Sequence, residues 1–340
     1  NVFIVETALD IRGASFVMPR LAPVLVTLVL ALSYGLWRLK TLPVRDVGII
    51  GMVQPSEAFN EKFDPARADS VVGKLVRRSR ELLRQSPRPQ LIIWPEAAIP
   101  DFLWRRPAWD ATIRTMVRES RVPIFTGVFW AEPGWRSILD PYYNATLLID
   151  STGEWRGNPV YAKHYLVPVT ERVPFVPVKV FRAIPGLARW SGGFTPGRTT
   201  PVYETALGRF GVIVCYESAF EDLPRYYRAH GGEFLANYPN DAWFAHTSPP
   251  AQHASHLVLR AIETRMGVAR AANSGITEFV DPFGRAYDQT ALDADTVLIG
   301  TLRTSDVVTL YVRLGDWVGM LVVVLTLGGA AFLIKRRFRP

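Results

Sequence analysis

The sequence predicts a layered α/β fold, and its patterning is the reason. Short apolar runs rich in β-branched residues recur along the chain, and helical patterns lie between several of them. Strands alternating with helices place sheet at the centre of a layered domain. A further observation sets what flanks that domain: two long uncharged runs, one near each end. At 340 residues, with 49% hydrophobic and 21% charged residues, the chain is too apolar for disorder and long enough for one large domain or two medium ones. A mean hydropathy of +0.10 points to a globular body with a few membrane segments.

The first uncharged run is Leu21 to Trp37, with Arg20 before it and Arg38 and Lys40 after it. Its 17 residues are the short end for a spanning helix, and Pro23 sits near its start. No small-residue cleavage site follows, as a signal peptide would require. Residues 1–40 therefore read as an N-terminal membrane segment. Candidate strands follow at Val47–Val53, Leu91–Trp94, Ile124–Phe129, Ala145–Ile149, Phe210–Val214 and Phe234–Ala236. They are continuous apolar runs, as expected of strands covered on both faces. Asp64-Pro65 offers an N-cap and a first-turn proline for a helix through Val72, Leu75, Val76, Leu82 and Leu83, which Pro87 ends. Further helices are expected at Trp109–Glu119 and about Gln252–Arg265. The Pro- and Gly-rich stretch 168–201 reads as a long ordered excursion of the kind that carries binding surfaces.

The second uncharged run, Trp317 to Ile334, follows Asp316 and precedes Lys335, Arg336, Arg337 and Arg339. It reads as a C-terminal spanning helix with a basic cytoplasmic tail, residues 316–340. The domain at 41–315 then lies on the extracytoplasmic side. The chain begins at Asn1 rather than Met, which reads as a fragment or a processed form.

The net charge of +8 does not by itself name a partner. Lysine occurs only at 40, 62, 74, 163, 179 and 335; the other basic residues are arginines, scattered rather than clustered on one face. With no zinc-finger spacing, RNA-binding signature or basic arm, nucleic acid is not an expected partner. A single cysteine, Cys215, rules out an intrachain disulfide or a cysteine metal cluster. The five histidines, at 164, 230, 246, 253 and 256, show no metal spacing; even the i, i+3 pair His253 and His256 lacks a third ligand. No metal and no cofactor are expected.

Three residues then stand at strand ends. Cys215 follows the run Phe210–Val214, so a buried strand ends at a thiol, a position suited to attack on a carbonyl. A lone cysteine is also a common core residue. Glu96 follows Leu91–Pro95 and precedes an apolar loop; a poorly solvated carboxylate there suits a general base, or else an ordinary ion pair. Lys163 lies among aromatics in Tyr161–Tyr165. A compact ammonium can stabilise a thiolate and an oxyanion, though from this segment alone an exposed lysine is the commoner reading. Glu171, eight residues on, could orient the lysine or the base, or make a loop salt bridge.

Glu, then Lys about 65 residues on, then Cys about 50 further, each at a strand end, resembles the nitrilase superfamily. The segments are LIIWPEAAIP, YAKHYLVPVTERVPF and GVIVCYES. With Asn240-Asp241-Ala242-Trp243-Phe244, Gln252-His253, Ala272–Thr277 and Leu310–Trp317, they look specifically like the apolipoprotein N-acyltransferase branch, over about residues 45–334. The resemblance implies a nitrilase-like α-β-β-α sandwich with flanking transmembrane helices, facing the periplasm from the bacterial inner membrane. It implies Glu96 as general base, Lys163 as electrostatic stabiliser and Cys215 as nucleophile, with Glu171, Tyr216, Glu217, Asn240 and Trp243 in supporting or substrate-binding roles. The reaction implied is ping-pong. Cys215 takes an acyl chain from a phospholipid as a thioester, and the amine of a diacylglyceryl-cysteine lipoprotein then accepts it.

Three departures accompany the resemblance. Pro168-Val169-Thr170-Glu171 replaces the usual Pro-Phe-Gly-Glu, and threonine for glycine should stiffen that loop. Phe63 stands where a tryptophan is common. At most one spanning helix precedes the domain, where the family has several. A nitrilase-type amidase or carbamoylase acting on small molecules would use the same three residues, and a non-catalytic membrane-anchored scaffold would use none.

Overall fold

The computed structural model describes residues 17–132, 134–137, 140–156, 160–173, 175–177, 180, 193–243 and 249–337. The middle of the expected excursion at 168–201, residues 181–192, and Phe244 lie outside them. The chain divides into two units, residues 1–43 and 44–340.

Among the described residues the first unit holds one helix, α1 (Val17–Thr41). Its apolar side chains from Val24 to Leu39 are largely exposed. Among the described residues it is the one helix long and apolar enough to cross a membrane, over Val24–Thr41.

The second unit holds two sheets. Alternation along each strand decides which residues face which layer. The first sheet contains β1 (Arg45–Gln54), β2 (Leu91–Ile93), β3 (Ile99–Phe102), β4 (Ile124–Trp130), β5 (Tyr143–Ile149), β6 (Trp155–Arg156) and β13 (Thr296–Thr304). β1, β2 and β4 run parallel in its middle, and β13 and β5 pair antiparallel on either side of them. The second contains β7 (Tyr203–Thr205), β8 (Gly208–Ile213), β9 (Phe234–Asn237), β10 (Gly267–Arg270), β11 (Glu278–Val280) and β12 (Ala286–Tyr287). Its parallel centre is β8, β9 and β10.

Ile50, Met52, Leu91, Ile93 and Phe125 of the first sheet share one buried cluster with Phe210, Val212, Phe234 and Val268 of the second, so the sheets pack face to face. The intervening residues, Val53, Ile92, Trp94, Ile124 and Val128, turn the other way onto Val72, Leu75, Val76, Ile113 and Met116. Those belong to α3 (Ala68–Leu83) and α4 (Pro107–Ser120), which follow the one-turn α2 (Phe59–Lys62). On the far side α5 (Asp222–Ala229) and α6 (Pro249–Thr264) place Leu223, Tyr227, Leu257 and Ala261 against the second sheet. The layering is α-β-β-α, as the resemblance implies.

One local expectation changes. The first long helix begins at Ala68, not at Asp64-Pro65. Asp64 instead accepts from the Ala66 N–H at 2.9 Å, and its side chain closes a turn before the helix. In the loop before Glu171, Val169 carries a left-handed φ of +69°. At the C-terminal end, Thr309 caps α7 (Leu310–Leu314) through the Val312 N–H, and α8 runs over Trp317–Arg337. Its described apolar stretch, Trp317–Gly329, is shorter than a full span; the side chains that would complete the expected run to Ile334 lie outside the described residues.

Candidate active site

Parallel strands share a direction, so their carboxyl ends and the turns after them gather at one edge, where open α/β sheets bring chemistry together. Glu96 follows β2, Cys215 follows β8, and Asn240 and Asp241 follow β9. The face-to-face packing brings the two sets together.

Glu96 is buried in the turn after β2. The next residue, Ala97, has φ +46°, and the turn lies against Gly127 of β4. A Cβ on Gly127 would stand 2.6 Å from the Ala97 nitrogen and 2.9 Å from the Glu96 Cα, so only glycine admits the turn. The Glu96 carboxylate accepts from Lys163 Nζ at 3.0 Å, Asn144 Nδ2 at 2.7 Å and the Asn240 N–H at 2.9 Å. Lys163, only 1% exposed, also bonds Glu171 at 3.0 Å. Asn144 joins the two glutamates by donating to Glu171 as well, at 3.1 Å. The Val167 N–H, at 2.7 Å, holds the other Glu171 oxygen. Burial works against the lysine's charge, but Glu96 and Glu171 outweigh it and hold the ammonium well above the usual lysine range.

Cys215 is buried, with φ +48° where β8 breaks into a single 3-10 turn, Cys215–Ala219. A non-glycine residue in that region is an uncommon, strained arrangement of the kind found at nucleophile turns. Burial pushes its thiol well up, the Glu96 charge adds to the push, and Lys163 offsets part of it. Beneath the turn Glu217 accepts from the Val214 N–H and the Tyr161 hydroxyl at 2.7 Å each and from the His164 N–H at 2.6 Å. Burial outweighs these donors and pushes Glu217 up to about 7.

The other residues singled out from sequence divide. Asn240 enters through its backbone, while its side chain accepts from Asn273 Nδ2 at 2.9 Å. Tyr216 stands at the surface, edge-on to Phe220 at 5.2 Å, outside the buried network. Trp243 closes a short 3-10 turn, Asp241–Trp243, and its side chain lies outside the described residues. Phe63 stacks on Phe129 at 6.0 Å, keeping an aromatic ring where the tryptophan was expected.

Sequence reasoning missed Lys62, Asn144 and Arg270, and gave His253 no role beyond its place in the Gln252-His253 segment. Lys62 is 1% exposed and donates to the Glu96 backbone carbonyl at 2.6 Å. Burial drives its amine down to about 8, against pulls from Glu96 and Glu57. The scarcity of lysine was the available signal: of six in the chain, Lys62 and Lys163 are both buried here. Asn144 and Arg270 left no signal, being single polar residues inside apolar strands. A cavity of about 960 Å³ opens beside Trp104, Trp130, Trp135 and Trp155. Its wall includes Ala162 but none of Glu96, Lys163 and Cys215, so it is not the reaction chamber.

Comparison with known proteins agrees with this geometry. The sequence profile of the carbon-nitrogen hydrolase family matches residues 49–311. The chain is 32% identical to an apolipoprotein N-acyltransferase of Geobacter metallireducens, over 93% of this chain and 58% of that protein. It is also 32% identical to one of Brucella melitensis, over 99% of this chain and 64% of that protein. The chain thus spans about three-fifths of the length of these relatives. Among solved structures, yeast Nit3, a nitrilase-superfamily member, superposes with a TM-score of 0.58 at 15% identity, covering 75% of this chain and 89% of its own. An amidase from Nesterenkonia gives 0.54 at 18% identity, over 81% and 96%. The fold is therefore nitrilase-like, and the chain belongs to the carbon-nitrogen hydrolase family.

Proposed function

We propose that this chain carries the catalytic part of a membrane-bound lipoprotein N-acyltransferase of the bacterial envelope. The observation that supports it best is a buried Glu96–Lys163 pair facing a buried cysteine on a strained turn, in a chain similar over nearly its whole length to enzymes named apolipoprotein N-acyltransferase. In this reading Cys215 attacks the ester carbonyl of a phospholipid while Glu96 takes the thiol proton. Lys163 stabilises the oxyanion, and the lysophospholipid leaves with the proton returned by Glu96. The thioester then meets the amine of a diacylglyceryl-cysteine. That amine loses a proton to Glu96, the amide forms, and the thiol is restored.

The membrane assignment extends this reading. Residues 1–40 carry the N-terminal anchor, 41–315 the catalytic domain on the extracytoplasmic side, and 316–340 a second spanning helix with a basic cytoplasmic tail. The exposed apolar residues of α1 and of α8 between Val318 and Leu327 favour a lipid environment, since exposing that much apolar surface to water is unfavourable.

The test is to incubate the membrane-embedded chain with a phospholipid bearing a labelled acyl group. Hydroxylamine-labile label on wild type and none on Cys215→Ser supports the thioester, and transfer to a diacylated lipopeptide supports the amine acceptor. Release of label as free fatty acid, or turnover of a small amide without lipid, would favour a hydrolase. No label on folded protein with accessible lipid would sink the acyltransferase reading.

A further inference from the structure

Behind Cys215 lies a second polar network that the triad does not use. Cys215, Asp241 and His253 present their sulfur, carboxylate and ring-nitrogen atoms within 4.8 Å of one another. His253 reaches this point from the first turns of α6. Its Nδ1 stands 2.7 Å from Asp241 Oδ1, and its Nε2 stands 2.9 Å from the Cys215 backbone carbonyl. Asp241 Oδ2 in turn accepts from Arg270 Nη2 at 2.7 Å, both side chains being fully buried. Arg270 is itself fixed, donating to Asn237 Oδ1 at 2.8 Å and to the Ile276 carbonyl at 3.0 Å.

The donor and acceptor inventory decides the protonation of the ring. Arg270 only donates, so the Asp241 carboxylate accepts from it. Burial opposes the Asp241 charge, but the Arg270 guanidinium and His253 outweigh it and hold the carboxyl below the usual range, so both oxygens are acceptors. The Cys215 carbonyl is an acceptor as well. Both ring nitrogens therefore face acceptors, and both bonds form only if both nitrogens carry protons. With both nitrogens and both carboxylate oxygens committed, the cluster is a hydrogen-bond network rather than a set of free metal ligands.

We propose that His253 is a positioning residue, a buried imidazolium that clamps the carbonyl of Cys215 and sets a fixed positive charge beside its sulfur. Through the clamp it holds the left-handed turn that presents the thiol. Through its charge it favours the thiolate, so Arg270, Asp241, His253 and an ionised Cys215 sum to zero. Most of the other charged groups on elements touching α6 have partners of their own, while the buried Tyr227 hydroxyl has none. Glu217 holds Val214, Tyr161 and His164; Glu278 holds Gln289; Glu221 and Glu263 face Arg260; Arg225 and Arg228 hold backbone carbonyls. His256, with its ring 6.0 Å away on the same helix, is pushed toward the neutral form by burial and by the His253 charge.

This inference rests on Cys215 as the nucleophile but not on the identity of donor or acceptor, and two measurements on the full chain in detergent test it. With 15N-histidine labelling, His253 should show two protonated ring nitrogens at pH 7, and in Asp241→Asn it should become a neutral tautomer. Because Cys215 is the only cysteine, iodoacetamide labelling reads that site alone. A unit charge about 5 Å from sulfur is worth roughly two pH units in a partly screened interior. His253→Gln, which keeps one N–H for the carbonyl, should shift the labelling profile between pH 7 and 10.5 upward by about one to two units, with its alkaline plateau retained. Loss of packing alone would lower the plateau without the shift. A singly protonated His253 in the wild type, or a His253→Gln profile that does not move, overturns the proposal. If that variant fails to fold, the wild-type spectrum still decides. Thioester formation is scored separately, so the acyltransferase reading can fail while the imidazolium stands, and the reverse.

Discussion

Lys62 is a buried amine whose measurable effects should run in opposite directions, and Lys62→Met separates them. Methionine keeps the length and the apolar stem and removes the charge. The lysine's value of about 8 in the fold, against an ordinary 10.5, makes the folded state the poorer proton binder. Its contribution to stability is therefore complete only above pH 10.5 and is lost as pH falls through 8. Between pH 9.5 and 7 the wild type should lose about 2 kcal/mol that the variant does not lose. Against this, methionine leaves the Glu96 carbonyl without its 2.6 Å donor, a cost of about 1–3 kcal/mol at both pH values. Relative to wild type the variant should thus be about 2 kcal/mol more stable at pH 7 than at pH 9.5. Activity should fall at both, by roughly 100-fold in thioester formation, because the Glu96 turn loses an anchor and misplacement of about an ångström has that effect. Urea unfolding followed by tryptophan fluorescence at the two pH values, with the acylation assay beside it, reads both. A stability difference between wild type and variant that is the same at pH 7 and 9.5 would refute the argument.

Three further substitutions probe the same site. Gly127→Ala places a Cβ against the backbone of Glu96 and Ala97, and should lower acylation by about 100-fold at a stability cost of roughly 1–3 kcal/mol; full acylation with an unmoved Glu96 turn would show the contact to be soft. Glu217 sits at about 7 in the fold against an ordinary 4.5, so its contribution to stability is complete below pH 4.5 and falls by about 3 kcal/mol as pH rises through 7. Glu217→Gln cannot titrate and should abolish that slope in unfolding experiments across the window. Val169→Gly should relieve a β-branched residue at φ +69° on an exposed loop, for a net gain of up to about 1 kcal/mol after the entropy of glycine is subtracted; a lower melting temperature would count against it.

How much of this was legible in the sequence follows the length of the signal. The parallel strands β1, β2, β4, β8 and β9 were readable because strands buried on both faces must be apolar throughout, as Leu91–Ile93 and Phe210–Ile213 are. The two- to four-residue strands β3, β6, β7, β10, β11 and β12 were not, since so short a segment has no period to read, and the nine-residue β13 was missed as well. Glu96, Lys163 and Cys215 could be named because each ends or follows an apolar run. Their hydrogen-bond partners could not, because Asn144 sits inside β5, Arg270 ends β10 and His253 is one residue of an amphipathic helix. None carries a local pattern that separates it from an ordinary polar position. Tyr216 and Glu217, both named through the resemblance, part at one turn: the 3-10 turn after Cys215 sends successive side chains in different directions, and Glu217 turns inward while Tyr216 stays at the surface.

For the acyl transfer proposed above, the resting charge state of the site bears on how the thiol would be activated. Lys163 is shared by two carboxylates, so the ammonium that would favour a thiolate is already neutralised, and burial leaves Cys215 a thiol while the site is empty. An idle thiolate would be open to oxidation and to adventitious electrophiles. Deprotonation then becomes favourable only when an acyl carbonyl enters, because the negative charge no longer rests on sulfur but passes to an oxygen that Lys163 can reach. A fixed imidazolium behind the cysteine fits this scheme. It lowers the cost of the transient thiolate without lending a proton donor to the reacting face, so the proton has one acceptor, Glu96, in both halves of the cycle.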